Sequence, residues 1–409
     1  MGALDDVTVL DLSRLLAGPY CTQTFSDLGA TVWKIEPPWG EDTRKLGPPF
    51  VGDQAAYYLS GNRGKKSVAV NLKEPKGQEL VRGLARQADV LVENFKTGDL
   101  ARYGLDYESV AEINPRIVYA SITGFGHTGP RATEPAVDTT LQGLTGLMSI
   151  TGEADGPPVK VGVAVIDLFA GLLAGVGVLA ALRERERSGR GQALDLSLFD
   201  VGLMSMVNVA QNYFATGEPP GRLGNAHPQI VPYQGFEASD GDWFMLACVN
   251  DDQFQRLAET IGQPSLSDSA RFRTNADRVA NHGALAHILE DVFRSRTRSE
   301  WVDTLSGAKL MALPINNFAE ALAEPQAEAR RVTWDVPHPS LGSVRLMANA
   351  LQNMSRTPAA SQGHPPLLGE HTFEVLEDKL SLNAAELQTL EDSGVIKDAS
   401  SPQPPTPNP

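Results

Sequence analysis

Short apolar segments rich in β-branched residues alternate with helical stretches through the first 122 residues, and this alternation restricts the fold more than any other feature. Residues 7–12 read as a strand. The turn Ser13-Arg14-Leu15-Leu16-Ala17-Gly18-Pro19 leads into a helix to about residue 28, and residues 30–35 form a second strand. Further strands are expected at 68–72, 89–93 and 117–122, with helices around 77–87 and ending near 113. Strand, helix, strand with short connections implies right-handed parallel units. The expected fold is therefore a doubly wound, Rossmann-like α/β domain whose ligands lie beyond the carboxyl ends of its strands. Arg14, Asn94, Lys96 and Thr123 all fall at those ends. No G-x-G-x-x-G follows the first strand and no G-x-x-x-x-G-K-S/T occurs, which counts against a nicotinamide or nucleoside-triphosphate enzyme.

A single carboxylate, Asp167, stands inside the apolar run Gly162-Val163-Ala164-Val165-Ile166-Asp167-Leu168-Phe169-Ala170-Gly171. The pattern predicts a strand over 159–166 feeding a helix from 168 to about 187. Asp167 then has two compatible readings: the helix N-cap, or a nucleophile beside helix-end N–H donors in an apolar pocket. Beyond it, a strand at 192–198 precedes a helix at about 201–215. A hairpin at 235–246 and helices around 252–261, 275–293 and 298–307 form a second texture, and β segments lie within 331–354 before a helix near 371–379.

At 409 residues the chain is long for one core. It divides into a large α/β domain at 1–216, a Pro/Gly-rich linker at 217–232, a small α+β domain at 233–325, a linker and C-terminal part of the large domain at 326–399, and a Pro/Ser-rich tail at 400–409 expected to be disordered. A net charge of −15 argues against nucleic-acid binding, but residues 63–102 carry nine Lys/Arg against five Asp/Glu and suit phosphates. Two cysteines, Cys21 and Cys248, are too few for a disulfide framework or thiolate site, and the histidines show no metal-ligand spacing. No metal is expected. No G-x-S-x-G elbow marks a serine hydrolase. The N-terminus has no basic region before an apolar stretch, and the longest apolar run, 168–182, is short and glycine-rich. These features give the expectation of a cytoplasmic protein with no membrane partner.

Several strings in order resemble one family, the class III CoA-transferases and the related 2-methylacyl-CoA racemases: Arg14 to Pro19, Asn62-Arg63-Gly64-Lys65-Lys66-Ser67, Val92-Glu93-Asn94-Phe95, Gly124-Phe125-Gly126-His127-Thr128-Gly129-Pro130, the Asp167 run and Gly189-Arg190-Gly191-Gln192. Further matches reach Pro366-Leu367-Leu368-Gly369-Glu370-His371. Gly47-Pro48-Pro49-Phe50-Val51-Gly52 and Tyr57-Tyr58-Leu59-Ser60 are most similar to the succinyl-CoA:glutarate branch.

The resemblance implies that Asp167 attacks an acyl-CoA, with succinyl-CoA as the expected donor, to give an aspartyl anhydride and then an aspartyl-CoA thioester that a short dicarboxylic acid discharges. It implies CoA as co-substrate with no permanently bound cofactor, and CoA contacts at Leu15, Leu16, Ala17, Val70, Asn71, Leu72, Lys73, Asn94, Phe95, Lys96 and Arg102. It also implies a large domain completed by the C-terminal segment and an interlocked homodimer. For the acceptor's distal carboxylate, Arg63 is the candidate clamp. The chain departs from the pattern in four places. Pro37 stands where a family arginine is expected, Leu16 replaces the glutamine of formyl-CoA transferases, Ala247-Cys248-Val249-Asn250 replaces their glycine-rich lid, and Val137-Asp138 replaces the racemases' histidine-aspartate pair. Formate and oxalate are therefore poor acceptor expectations. The alternatives are a racemase or epimerase, which Val137 disfavours because it cannot carry a proton, and a non-catalytic acyl-CoA-binding subunit of a heteromer.

Overall fold

The computed structural model describes residues 2–399; the expected tail at 400–409 lies outside them. Fourteen strands are formed among these residues: β1 (Thr8–Asp11), β2 (Thr31–Glu36), β3 (Phe50–Val51), β4 (Gln54–Ala55), β5 (Lys66–Val70), β6 (Val90–Glu93), β7 (Val118–Thr123), β8 (Gln192–Ser197), β9 (Tyr233–Glu237), β10 (Trp243–Ala247), β11 (Met311–Pro314), β12 (Thr333–His338), β13 (Gly342–Met347) and β14 (Ile396–Lys397). Seven of them make one sheet in the order β14-β5-β2-β1-β6-β7-β8. All neighbours in it run parallel except β14, which closes the β5 edge antiparallel through Ile396 opposite Val70.

Read along the chain, the six parallel strands fall in the doubly wound 3-2-1-4-5-6 order, so the topological switch lies between β1 and β6. Helices cover both faces of the sheet, and its central strands consequently bury both faces. Val9, Val90 and Val92 pack with Cys21 and Phe25 of the helix Ala17–Asp27, while Leu10 and Leu91 pack on the other face with Leu80, Val81 and Leu84 of the helix Pro75–Ala85. The C-terminal helices bring Val375, Leu376 and Leu387 to that second layer.

The expected strand at 159–166 does not form. Residues 153–164 are irregular and largely exposed, and the helix begins earlier than the pattern suggested, spanning Val165–Ser188. A short connection carrying Gly156, Pro157, Pro158 and Gly162 has no strand neighbour to bond to. The helix is long and apolar enough to cross a membrane by length and composition. Here Ile166, Ala170, Ala174 and Val178 are buried against the first helix and the sheet. Gly171 permits that approach: a Cβ there would stand 2.6 Å from the Ala17 carbonyl oxygen.

The described residues form two compact units, 2–147, 161–208 and 330–399 in one and 148–160 with 209–329 in the other. The first unit thus takes back the C-terminal segment, with the β12–β13 hairpin packing Val336, Val344 and Leu346 around Leu59. The excursion 148–160 goes with the second unit, which the sequence texture alone did not suggest. That unit carries the sheet β11-β10-β9 over a core of Phe236, Phe244, Phe293 and Trp301, in which Phe293 meets both Phe244 and Trp301 edge to face. The helix expected at 201–215 is two, Leu198–Met204 and Val207–Thr216, and the one at 275–293 breaks between Ala280 and His282.

Gly171→Ala is expected to lower stability by about 1–3 kcal/mol, since the carbonyl of Ala17 must move to admit the methyl. Chemical denaturation of the two proteins checks this.

Candidate active site

Two turns meet at the topological switch. After β1 the chain runs through Ser13 and Arg14 into Leu15, which adopts a left-handed φ of +66°, a conformation that costs a leucine about 1–3 kcal/mol unless its surroundings impose it. They do impose it. The Arg14 N–H donates to Asn94 Oδ1 at 2.8 Å, Asn94 Nδ2 donates back to the Arg14 carbonyl at 2.6 Å, and the Leu15 N–H donates to Glu41 at 3.3 Å. Asn94 follows β6, so this reciprocal pair joins the two strand ends that flank the switch. The Arg14 guanidinium also lies 4.7 Å from the Phe95 ring centroid.

Beyond these turns lies a cavity of about 350 Å³ lined by Leu15, Leu16, Ala17, Asn94, Phe95 and Lys96 together with Tyr57, Val137, Asp138 and Asp167. Six of the predicted CoA contacts are thereby brought to the predicted nucleophile. A neighbouring cavity of about 260 Å³ is lined by Val70, Asn71, Leu72, Lys73 and Arg102, and Phe95 borders both. Trp39 faces this second space with the Lys73 ammonium 5.5 Å from its ring centroid, and Pro37, the departure from the family pattern, lies on the same wall. Arg102 is exposed, 3.7 Å from Asp99 and with its guanidinium 4.8 Å from the Tyr103 ring centroid.

Asp167 does not cap its helix. Ala164 is the N-cap residue and Asp167 sits in the first turn. The helix-end N–H groups expected to serve the Asp167 carboxylate are occupied by another acid: Asp138 Oδ2 accepts from the Ile166 N–H at 2.8 Å and from the Asp167 N–H at 3.3 Å. The Val165 N–H is taken by the Val163 carbonyl. Asp138 begins the helix Asp138–Leu144, is 6% exposed, and accepts a third bond on Oδ1 from Gln142 Nε2 at 2.5 Å. Gln142 Oε1 in turn accepts the Val161 N–H at 2.9 Å, which fastens the irregular connection ahead of the long helix. No side chain reading placed Asp138 here; only its position next to Val137 in the family motif had marked it, and for a different chemistry.

The consequence is electrostatic. Burial, reinforced by the Asp138 carboxylate, pushes Asp167 up to about 7, and no hydrogen-bond donor among the described residues offsets it. The Tyr57 phenol is raised too, by burial and by Asp167, Asp138 and Glu41. Lys96 is the one Lys or Arg lining this cavity. The arrangement is a basic, weakly hydrogen-bonded carboxylate in a mainly apolar recess, suited to attack an electrophilic carbonyl.

Arg63 is elsewhere, which corrects its assignment as the acceptor clamp. It is 4% exposed and forked onto Asp27, with Nε–Oδ1 2.7 Å and Nη2–Oδ2 2.6 Å, while Nη1 donates to the Met347 carbonyl at 2.8 Å. The guanidinium also faces Trp334 at 4.9 Å. Nε and Nη2 are thus committed to Asp27 on the first helix, and Nη1 to the C-terminal hairpin. Among the described residues no group of three or more His, Cys, Asp or Glu is placed to hold a metal ion.

The family described as CoA-transferase family III matches residues 4–372. A protein of Agrobacterium fabrum named succinate–glutarate CoA-transferase is 43% identical over 95% of this chain and 96% of its own, and the human protein named succinyl-CoA:glutarate CoA-transferase is 39% identical over 96% and 90%. Among solved structures, a CAIB/BAIF family protein from Brucella suis is 43% identical, superposes with a TM-score of 0.84, and is covered over 99% of its length by 92% of this chain.

Two outcomes are expected. Because the carboxyl of Asp167 is raised in the folded state, its contribution to stability is fully present below the unfolded value near 4 and is lost as pH rises through about 7. Asp167→Asn removes that penalty, so the variant is expected to gain of order 2 kcal/mol over wild type at pH 8 and little at pH 4, as read by thermal unfolding at both pH values. Arg63→Ala leaves Asp27 buried and unpaired and is expected to cost about 3–5 kcal/mol of stability, with the relative use of mono- and dicarboxylic acids unchanged in whatever folded enzyme is recovered.

Proposed function

The chain belongs to CoA-transferase family III, and from that membership we propose that it moves CoA from succinyl-CoA to a short dicarboxylic acid such as glutarate, with Asp167 as the covalent nucleophile. The observation that carries the reading is the Asp167 carboxylate, raised to about 7 and opening on a cavity bordered by both turns of the topological switch. A second cavity continues from it past Phe95, lined by Lys73 and Arg102. A ligand with a thioester at one end and a phosphorylated nucleotide at the other fits that succession: acyl carbon at Asp167, pantetheine along Leu15 to Ala17, phosphates toward the two cations.

The exchange needs no redox step. Asp167 oxygen forms a bond to the succinyl carbonyl carbon as the carbon–sulfur bond breaks, and the electron pair leaves on the CoA thiolate. The thiolate then attacks the aspartyl carbonyl of the anhydride, and succinate departs as a carboxylate. Glutarate repeats the sequence in reverse, attacking the aspartyl thioester, expelling thiolate and being attacked by it, which returns Asp167 to its starting form. Water would hydrolyse the anhydride, and walls such as Leu15, Leu16, Ile122, Val137 and Leu198 leave it little to bind to.

A racemase needs a second group to carry a proton. At that position Val137 is apolar and 54% exposed, and all three hydrogen bonds of Asp138 are committed to the backbone and Gln142. The proposal includes a homodimer. On the long helix Phe169, Leu172, Val176 and Leu179 remain 40–63% exposed along one stripe, a face that a second copy of the chain would cover.

Incubated with succinyl-CoA, the wild-type protein is expected to show a CoA-thioester adduct by intact mass, discharged by glutarate into glutaryl-CoA. Asp167→Asn is expected to show none and to lose more than about 10³-fold in turnover. Absence of both adduct and exchange with wild type would overturn the reading in favour of a binding subunit. Light scattering is expected to give twice the mass of the chain.

A further inference from the structure

Asp138 turns one carboxylate oxygen to the start of the nucleophile's helix and the other to Gln142. One oxygen takes the N–H groups of Ile166 and of Asp167 itself; the other takes Gln142, whose side chain also holds the connection at Val161. Two things follow from that geometry. The donors that would solvate an Asp167 carboxylate are withdrawn from it, and a second carboxylate is fixed beside it where burial already disfavours charge. An ordinary N-cap such as Ser or Asn would satisfy the same N–H groups without adding charge. A carboxylate at this point works against ionised Asp167.

That opposition disappears when Asp167 is esterified. In the free enzyme two like charges face each other across the helix start. In the aspartyl anhydride and the aspartyl thioester, Asp167 carries no charge, and the negative charge has left with the thiolate or with the donor acid. We propose that Asp138 is a positioning residue whose fixed charge drives Asp167 toward its acylated forms. The proposal rests on the covalent mechanism above and adds to it a reason for the covalent state to accumulate. The net reaction that Asp138 biases is carboxylate plus acyl-CoA giving aspartyl-CoA plus donor carboxylate. One carbon–sulfur bond breaks and one forms, one oxygen passes from the aspartyl carbon to the acyl carbon with one carbon–oxygen bond broken and one made, and no proton or electron is taken from elsewhere. Bond energies nearly cancel across it, so a local electrostatic term decides how much adduct stands at equilibrium. The other ionisable groups on the cavity wall are Tyr57, Lys96 and Glu134, and none of them lies on the helix start.

The test uses three full-length variants, Asp138→Asn, Asp138→Glu and Gln142→Ala, with two readouts: the fraction of aspartyl-CoA adduct at fixed succinyl-CoA and succinate, and the pH dependence of adduct formation. Wild type is expected to form adduct with a rate that rises through about pH 7, where Asp167 ionises. Asp138→Asn is expected to shift that rise downward by at least one pH unit and to lower the equilibrium adduct at least tenfold. Asp138→Glu is expected to restore both in part. Gln142→Ala, which loosens the connection but keeps the charge, is expected to slow the reaction with the pH midpoint and adduct fraction unchanged.

If Asp138→Asn slows the reaction with midpoint and adduct fraction both at the wild-type values, Asp138 serves only to hold the helix start and the inference falls. Should Asp138→Asn not fold, a pH midpoint for Asp138→Glu below that of Gln142→Ala, with an adduct fraction below wild type but above one-tenth of it, supports the inference, whereas a midpoint and adduct fraction for Asp138→Glu equal to those of Gln142→Ala, or loss of the adduct in both variants, overturns it. Failure of wild type to form any adduct is the separate result that removes the covalent mechanism itself.

Discussion

The Asp11–Lys65 ion pair, 3.0 Å long and fully buried at both ends, ties the close of β1 to a residue 54 positions later, and the strained turn above it depends on that tie. Asp11 also accepts the N–H and hydroxyl of Ser13 and the hydroxyl of Thr22, while Lys65 donates to the Pro19 carbonyl and to Asn62. Burial opposes the charge on Asp11, yet Lys65 and Lys34 outweigh it and hold the carboxyl at about 2. Lys34 reaches the Ser13 carbonyl at 3.1 Å and pairs with Glu41, which receives the Leu15 N–H. Buried ion pairs of this kind contribute little net stability because desolvation consumes most of the attraction. Their effect is geometric: residues 13–15 have one permitted path, and Leu15 is held in the left-handed region at the cavity wall.

The same logic governs the opposite wall, with the sign of the charge effect reversed. Around Asp11 every neighbouring cation favours the carboxylate, so it is a structural anion. Around Asp167 burial and a second carboxylate disfavour it, so the anion is basic and reactive. Two aspartates, one buried beneath the Leu15 turn and one on the cavity wall, are thereby set to different chemistry by their surroundings. The long helix links them, since its Gly171 rests on the Ala17 carbonyl just past the Leu15 turn.

Much of the large unit was legible because period and composition carry it. Val9, Leu10, Val90 and Leu91 alternate between two cores, and doubly buried parallel strands read as plain apolar runs. The site was legible where a backbone turn is encoded locally, as at Leu15 to Ala17 and Asn94 to Lys96. It was not legible where a residue's role is set by a partner distant in sequence. Arg63 resembles a free surface cation until Asp27, 36 residues away, and the Met347 carbonyl, 284 away, are folded onto it. Residues 159–164 carry β-branched side chains and fail to form a strand because no ladder partner stands beside them. Asp138 gave no signal as a cap because the helix it serves begins 27 residues later, at Val165.

These misreadings share one physical origin, which also explains how the site is built. A helix start needs acceptors for its first N–H groups, and local sequence normally supplies them through Ser, Thr, Asp or Asn at the cap. Here Ala164 at the cap supplies none, and the obligation passes to a side chain on another helix. The exported cap occupies the N–H groups of Ile166 and Asp167 and sets a second carboxylate beside Asp167, the third residue of the helix. A local Ser or Asn cap would hold the helix equally well and take the same N–H groups, but it would set no second charge beside the nucleophile. The carboxylate that serves as the exported cap is thus itself part of the reactivity of residue 167.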